Sequence, residues 1–131
     1  MSQENVEVVR SLFSAWNAGE MEAVRGLLDP GIVLRPPEGW PEPGPYVGAD
    51  ATLREWQQIR DAWKADAIET IGAFAHVSDH VVVRMVWRTD GKGPAAQMET
   101  THVATIRNGM IVLYEYCWDH AEALKAVGLE A

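Results

Sequence analysis

Residues 67–118 read AIETIGAFAHVSDHVVVRMVWRTDGKGPAAQMETTHVATIRNGMIVLYEYCW, and the period of this stretch settles the fold. Apolar and polar side chains alternate in steps of two, the spacing of strands with one buried face. Ser78-Asp79, residues 90–94 and Asn108-Gly109 interrupt the alternation with residues that favour turns. Consecutive antiparallel strands are therefore predicted over residues 68–77, 80–89, 95–107 and 110–118.

The turn at Asn108-Gly109 decides which side chains face inward, because a slip of one residue turns every side chain to the other face. A two-residue turn sets Arg107 opposite Met110 and His102 opposite Glu115. A three-residue loop with glycine at a bulge sets Ile106 opposite Met110 and His102 opposite Tyr114. Amphipathicity favours the second. It gathers Met98, His102, Ala104, Ile106, Met110, Val112, Tyr114, Tyr116 and Trp118 on one face, and leaves Gln97, Glu99, Thr101, Thr105, Arg107 and Glu115 on the other. Val81, Val83, Met85 and Trp87 point inward by the same alternation, Arg84 and Arg88 outward. Val82, Val86, Val103, Ile111 and Leu113 then lie among outward charges, a mixture that suits a subunit contact, so a homodimer through the outer sheet face is expected.

Upstream of the strands the period is helical. Residues 2–17 form a helix that Ser2 can cap, with Val6, Val9, Phe13 and Trp16 on one face and Gly19 after its last turn. A short helix over residues 20–28 buries Met21, Val24, Leu27 and Leu28, and Asp29-Pro30-Gly31 stops it. Residues 32–35 form a short strand. The segment PPEGWPEPGPYVG, residues 36–48, holds five prolines and three glycines, so it is a loop. It nevertheless carries Trp40 and Tyr46, which either pin it to the core or wall a pocket. Asp50 caps a third helix with Leu53, Trp56, Ile59 and Trp63 as its buried stripe. Asp119 caps a last short helix, with Glu122 as the partner of a capping box and Gly128 at its end.

The 131 residues make a single domain, 1–131, with 47% apolar and 23% charged side chains, an ordinary globular mixture. A formal charge of −8 disfavours nucleic acid and anionic membranes and points to a small-molecule ligand. The single cysteine, Cys117, permits no intrachain disulfide, and the N-terminus MSQENVEVVR lacks the basic end and apolar run of a signal peptide. No stretch is apolar for the length of a membrane span, and a cytoplasmic protein is expected.

The strings VVRSLFSAWNAGEMEAVRGLLDP, GADATLREW, THVATIRNGMIVLYEY and DHAEALKAVGL resemble the SnoaL-like branch of the nuclear transport factor 2-like superfamily over nearly the whole chain. The resemblance implies an α+β fold, a curved antiparallel sheet wrapped as a cone around the N-terminal helices with a short C-terminal helix, a deep pocket, and dimers packed through the outer sheet face. Its members include polyketide cyclases, ketosteroid isomerases, limonene epoxide hydrolases and many binding proteins. The acidic groups of those enzymes fall here on residues of other kinds. The isomerase base falls at Pro36, the isomerase tyrosine at Leu12, the last-strand aspartate at Tyr116, and the protonated acid near His102 or Val103.

The expected interior is aromatic. Trp16, Trp56, Trp63, Trp87, Tyr114, Tyr116 and Trp118 would line it, with Trp40 and Tyr46 near the mouth, a wall suited to a planar or polycyclic ligand. His102 is the one inward group that titrates near neutrality, and with Tyr114 and Tyr116 it could act as general base beside an oxyanion donor. His76, His80 and His120 read as solvent-facing, Cys117 as structural, and no inward pair shows metal-ligand spacing, so neither metal nor cofactor is expected. Three roles stay open: a small-molecule binding protein without turnover, an isomerase, cyclase or hydratase working through His102 and Tyr116, and a structural dimeric module. A solidly filled interior would favour the third.

Overall fold

The computed structural model describes residues 2–40, 44–62, 67–88 and 98–129. The elements are α1 (Ser2–Ala18), α2 (Met21–Arg25), β1 (Leu28–Arg35), β2 (Tyr46–Val47), α3 (Ala49–Ala62), β3 (Ala67–Val77), β4 (His80–Arg88), β5 (Met98–Arg107), β6 (Met110–Cys117) and α4 (His120–Ala126). They build an α+β domain around one sheet of order β2-β1-β6-β5-β4-β3. The predicted meander is its larger half, β3 to β6, with each neighbouring pair antiparallel.

The sheet is mixed, where an antiparallel one was expected, because β1 lies parallel to β6. Turn residues mark hairpins, but no local signal marks a parallel pair whose strands are joined through half the chain. β1 also begins earlier than predicted. Leu28 pairs with Ile111, the Leu27 carbonyl accepts from the Ile111 N–H at 2.9 Å, and α2 is correspondingly short. Asp29-Pro30-Gly31 therefore sits in an irregularity of β1 between Leu28 and Val33, where a proline costs no ladder bond.

Helix α1 buries Val6, Val9, Phe13 and Trp16 as its spacing predicts, and Leu12 besides. Gly19, at φ 74°, closes it with paired bonds from Gly19 N to the Trp16 carbonyl and from Glu20 N to the Ala15 carbonyl. Helix α3 buries Leu53, Trp56 and Ile59. Its first helical residue is Ala49, so Asp50 lies inside the first turn and pairs with Arg25 at 2.7 Å, in place of the capping role read for it. The Trp63 side chain lies outside the described residues, as do the Ser2 side chain and the turn at residues 90–94.

α1 packs on β3 and β4, and α3 on β1 and β2, so the core lies between these helices and one sheet face. The opposite face is partly covered by α4. Val82 and Val103 pack there with Ala123, Leu124, Val127 and Cys117. That contact accounts for two of the outward valines without a second subunit. Ile111, expected outward, belongs to the inner core.

The β5–β6 hairpin explains the reversal. Arg107 pairs with Met110 across a two-residue turn in which Asn108 (φ 54°) and Gly109 (φ 76°) are both left-handed. An extra residue on β6 then shifts the ladder, from Ile106 opposite Ile111 to Thr105 opposite Leu113. The turn is that of the first predicted register, while the bulge restores the inward face of the second. His102 consequently stands opposite Tyr116, a pairing that neither register contained.

Candidate functional site

The inward side chains of β4, β5 and β6 meet those of α1 and α3 in a cluster of rings. Ala104 opposes Tyr114, Val83 opposes His102, and His102 opposes Tyr116, so Tyr114, Tyr116 and His102 emerge on one face. Trp16 meets Trp56 and Trp87 edge-on, at centroid distances of 6.3 and 5.8 Å. Trp56 meets Tyr114 at 5.3 Å, and His102 lies 4.7 Å from Tyr116. Such tilted and edge-to-face geometry is what ring quadrupoles prefer. Of the residues assigned to the site from sequence, Trp16, Trp40, Trp56, Trp87, His102, Tyr114 and Tyr116 are brought together and buried. Tyr46 is half-buried against the cluster. Trp118 sits at the rim, 48% exposed, and donates its indole N–H to the Glu38 carbonyl at 2.9 Å.

Two polar strings run through the rings. In the first, Trp87 Nε1 donates to Thr100 Oγ1 at 2.8 Å, Thr100 Oγ1 lies 3.0 Å from His102 Nε2 and 3.2 Å from Met85 Sδ, and His102 Nδ1 bonds the Tyr114 hydroxyl. Only one assignment satisfies every donor of this string. Thr100 donates to the Met85 sulfur and accepts from Trp87 and from His102 Nε2–H, which leaves Nδ1 to accept the Tyr114 proton. In the second string Trp56 Nε1 donates to the Tyr116 hydroxyl at 2.5 Å. The Tyr116 proton meets no acceptor among the described residues.

Burial decides protonation here. His102, 2% exposed, is pushed down to about 3, so it is a neutral ring fixed at both nitrogens. Burial also raises the Tyr114 and Tyr116 phenols well above their ordinary value. The Glu55 carboxylate adds to the upward push on Tyr116. A histidine held in that way is a weak base at neutral pH, and the general-base role drawn from the sequence finds no support in its surroundings.

Sequence reasoning missed two members. Thr100 is buried and joins Trp87 to His102, and its signal was its place two residues before His102 on the inward face. Glu55 is 4% exposed on α3, four residues before the buried Ile59. Its signal was that step of four along the apolar stripe. An interior free of carboxylates was expected, and Glu55 corrects that reading. His80 and His120, read as solvent-facing, are half-buried and bond Thr105 and Thr101 on the outer face. Among the described residues, no three His, Cys, Asp or Glu side chains group closely enough to hold a metal ion.

The hollow is small. A cavity of about 10 Å³ lies between Phe13, Trp16, Trp56, Trp87, His102 and Tyr114, room for about one water molecule. The interior is thus almost filled by side chains, in place of the deep pocket implied by the resemblance, an outcome that by itself favours the structural role. Trp40 lies over the remaining side, 4% exposed, with its ring 4.9 Å from Tyr116, 5.5 Å from Trp118 and 6.3 Å from Trp87.

A helix-lined sheet that closes on an aromatic interior defines this chain as a protein of the nuclear transport factor 2-like fold, and solved structures agree. It is similar to a nuclear transport factor 2-like protein of unknown function from Burkholderia pseudomallei, at 22% identity over 98% of this chain and 99% of that one, with a TM-score of 0.72. It is similar to a Mycobacterium tuberculosis protein solved in complex with estradiol-17β-hemisuccinate, at 16% identity over 91% and 95% of the two chains, TM-score 0.73. A third likeness is to TerC co-crystallised with polyporic acid, at 18% identity over 96% and 97%, TM-score 0.72. Residues 9–114 match the SnoaL-like domain, and the chain belongs to that family. No curated protein matches it. No helix among the described residues is long and apolar enough to cross a membrane.

Proposed function

We propose that the chain is a small-molecule binding protein whose seat is the aromatic cluster and whose ligand is apolar and planar. The observation that carries this reading is the contrast between the walls and the way they are filled. Five indole and phenol rings come from helices and strands, and the last side is covered by one ring from a loop. Trp56 bonds Tyr116, Trp87 bonds Thr100 and Tyr114 bonds His102, while the buried Trp16 indole N–H meets no acceptor among the described residues. An aliphatic core of this size would need no such pairing. Tyr116 keeps one proton to give, so a ligand oxygen can be held without any ionised group. Two similar folds carry a steroid derivative and polyporic acid, both ring compounds, in their structures.

The test is retention of ligand. Purified protein is equilibrated with a panel of fused-ring phenols, quinones and steroids, and tryptophan fluorescence and native mass spectrometry are read. Saturable binding with one molecule per chain is expected. Failure of every compound to bind, together with no co-purified small molecule, would leave the filled interior as a structural core.

A second reading is favoured by one observation, the buried Glu55 whose charge reaches Tyr116. If the protein turns over a ligand, Glu55 and Tyr116 are the acid–base pair, and His102 and Tyr114 position the ring beside them. Glu55→Gln then abolishes turnover while affinity stays within about threefold, and a Gln variant with undiminished turnover removes the reading. The partner expected on the outer sheet face is a second copy of the chain. Arg84–Glu99 and Arg88–Glu69 pairs, each 2.7 Å, would be its polar contacts. Sedimentation at micromolar concentration tests for it, and a monomer there rules it out.

A further inference from the structure

Trp40 differs from the other rings in its origin. Trp16 and Trp56 come from helices and Trp87, Tyr114 and Tyr116 from strands, so the hydrogen-bonded backbone fixes each of them. Trp40 comes from the loop after β1. Its backbone N–H bonds the Pro37 carbonyl at 3.1 Å, a contact within the loop itself. The arms of that loop abut: a Cβ at Gly44 would come within 2.7 Å of Pro36 Cδ, so only glycine lets the chain return there. Trp40 is therefore set into the cluster from a loop and not from a helix or strand.

The polar hold on the loop is placed at the rim. Trp118 Nε1 donates to the Glu38 carbonyl, and Gly39 takes φ 87° with its Cβ position about van der Waals distance from that same nitrogen. If residues 38–40 move away, the Trp118 donor is released beside the vacated place, between Trp118, Tyr116 and Trp87. The small cavity is lined by Trp87 and Tyr114, and both rings touch Tyr116.

Resting on the binding function proposed above, we infer that Trp40 occupies the seat of a planar, indole-sized aromatic ligand carrying an acceptor oxygen, and that binding turns Trp40 out of the cluster. The ligand ring takes the contacts of the Trp40 indole, and its oxygen takes the Trp118 N–H that the Glu38 carbonyl held. The resting protein is thus closed by its own side chain, and it avoids presenting an apolar hole to water.

The experiment compares wild type with Trp40→Ala, using 3-methylindole and indole-3-carbaldehyde as probes and calorimetry as the readout. The alanine variant is expected to bind both, the aldehyde more tightly because it supplies the oxygen. Wild type is expected to bind roughly 10-fold or more weakly, because an open state of this kind is typically populated at about 10% or less. In ¹⁵N-tryptophan-labelled wild type the Trp40 indole signal, identified by its loss in Trp40→Phe, is expected to shift to a solvent-exposed position on saturation. Equal affinities in the two proteins would overturn the inference, as would a folded alanine variant that takes up neither probe. A wild type that binds the fused-ring panel while Trp40 stays shielded would overturn the inference and leave the binding function standing. Uptake by the variant with no binding of any compound to wild type would end both. Should the alanine variant not fold, the labelled wild type with indole-3-carbaldehyde decides alone, between an exposed and an unmoved Trp40.

Discussion

A proton on His102 would place a positive charge among indoles, and burial opposes it so strongly that the ring titrates near 3, against about 6.5 in an unfolded chain. The unfolded state therefore takes up a proton that the folded state refuses as pH falls below about 6.5. Stability attributable to this residue is complete above that value and is lost between about 6.5 and 3, at roughly 1.4 kcal/mol per pH unit. Denaturant unfolding of wild type and His102→Gln at pH 7, 6, 5 and 4 checks this. The wild-type curve is expected to fall more steeply, and parallel curves would show that the histidine has no part in acid unfolding. Removing the tyrosine hydroxyl that bonds it, in Tyr114→Phe, leaves Nδ1 buried without its donor and is expected to cost about 1–3 kcal/mol at pH 7 in the same assay.

At the scale of elements, α4 is set by a single cap. Asp119 accepts the Glu122 N–H at 3.0 Å, and the helix so begun lays Ala123, Leu124 and Val127 over Val82 and Val103. Asp119→Ala should cost about 1 kcal/mol in chemical denaturation. This helix and its cap were legible in the sequence, as were α1, the inward faces of β4 and β5, and the gathering of Trp16, Trp56, Trp87, His102, Tyr114 and Tyr116. Each depends on a period or a cap that only a few neighbouring residues determine. The bulge on β6 was not legible. Its extra residue exists because the left-handed pair Asn108-Gly109 fixes the turn while burial fixes the face, and the two demands differ by one residue. Deleting Val112 removes the slack between them. The variant is expected either to turn Tyr114 and Tyr116 outward or to unfold, and near-ultraviolet circular dichroism would register the lost aromatic packing. Unchanged spectra would show that the register has another origin.

For the molecule as a whole, α4 covers part of the outer sheet face. Ending the chain after Trp118 would bare Val82, Val103 and Cys117, and self-association is expected to rise, as read by light scattering at equal concentration. A truncated chain that stays as dispersed as the parent would mean that this patch is too small to act as an interface. The closed interior was beyond the reach of sequence for a related reason. Side-chain types specify that rings line a space, but whether the space stays open depends on where a loop rich in proline and glycine sets down one indole. Glu55 escaped notice because a glutamate on a helix is ordinarily a solvated residue, and only the packing of α3 against the sheet makes it an interior one.

The parallel union of β1 with β6 also bears on how the protein is made. Leu28 cannot acquire its partner until Ile111 has left the ribosome, so the first quarter of the chain waits for the last. Such distant contacts slow the search for the native state. A nascent chain stalled before residue 111 should stay sensitive to protease through residues 28–35, and resistance should arrive abruptly once the closing strand emerges.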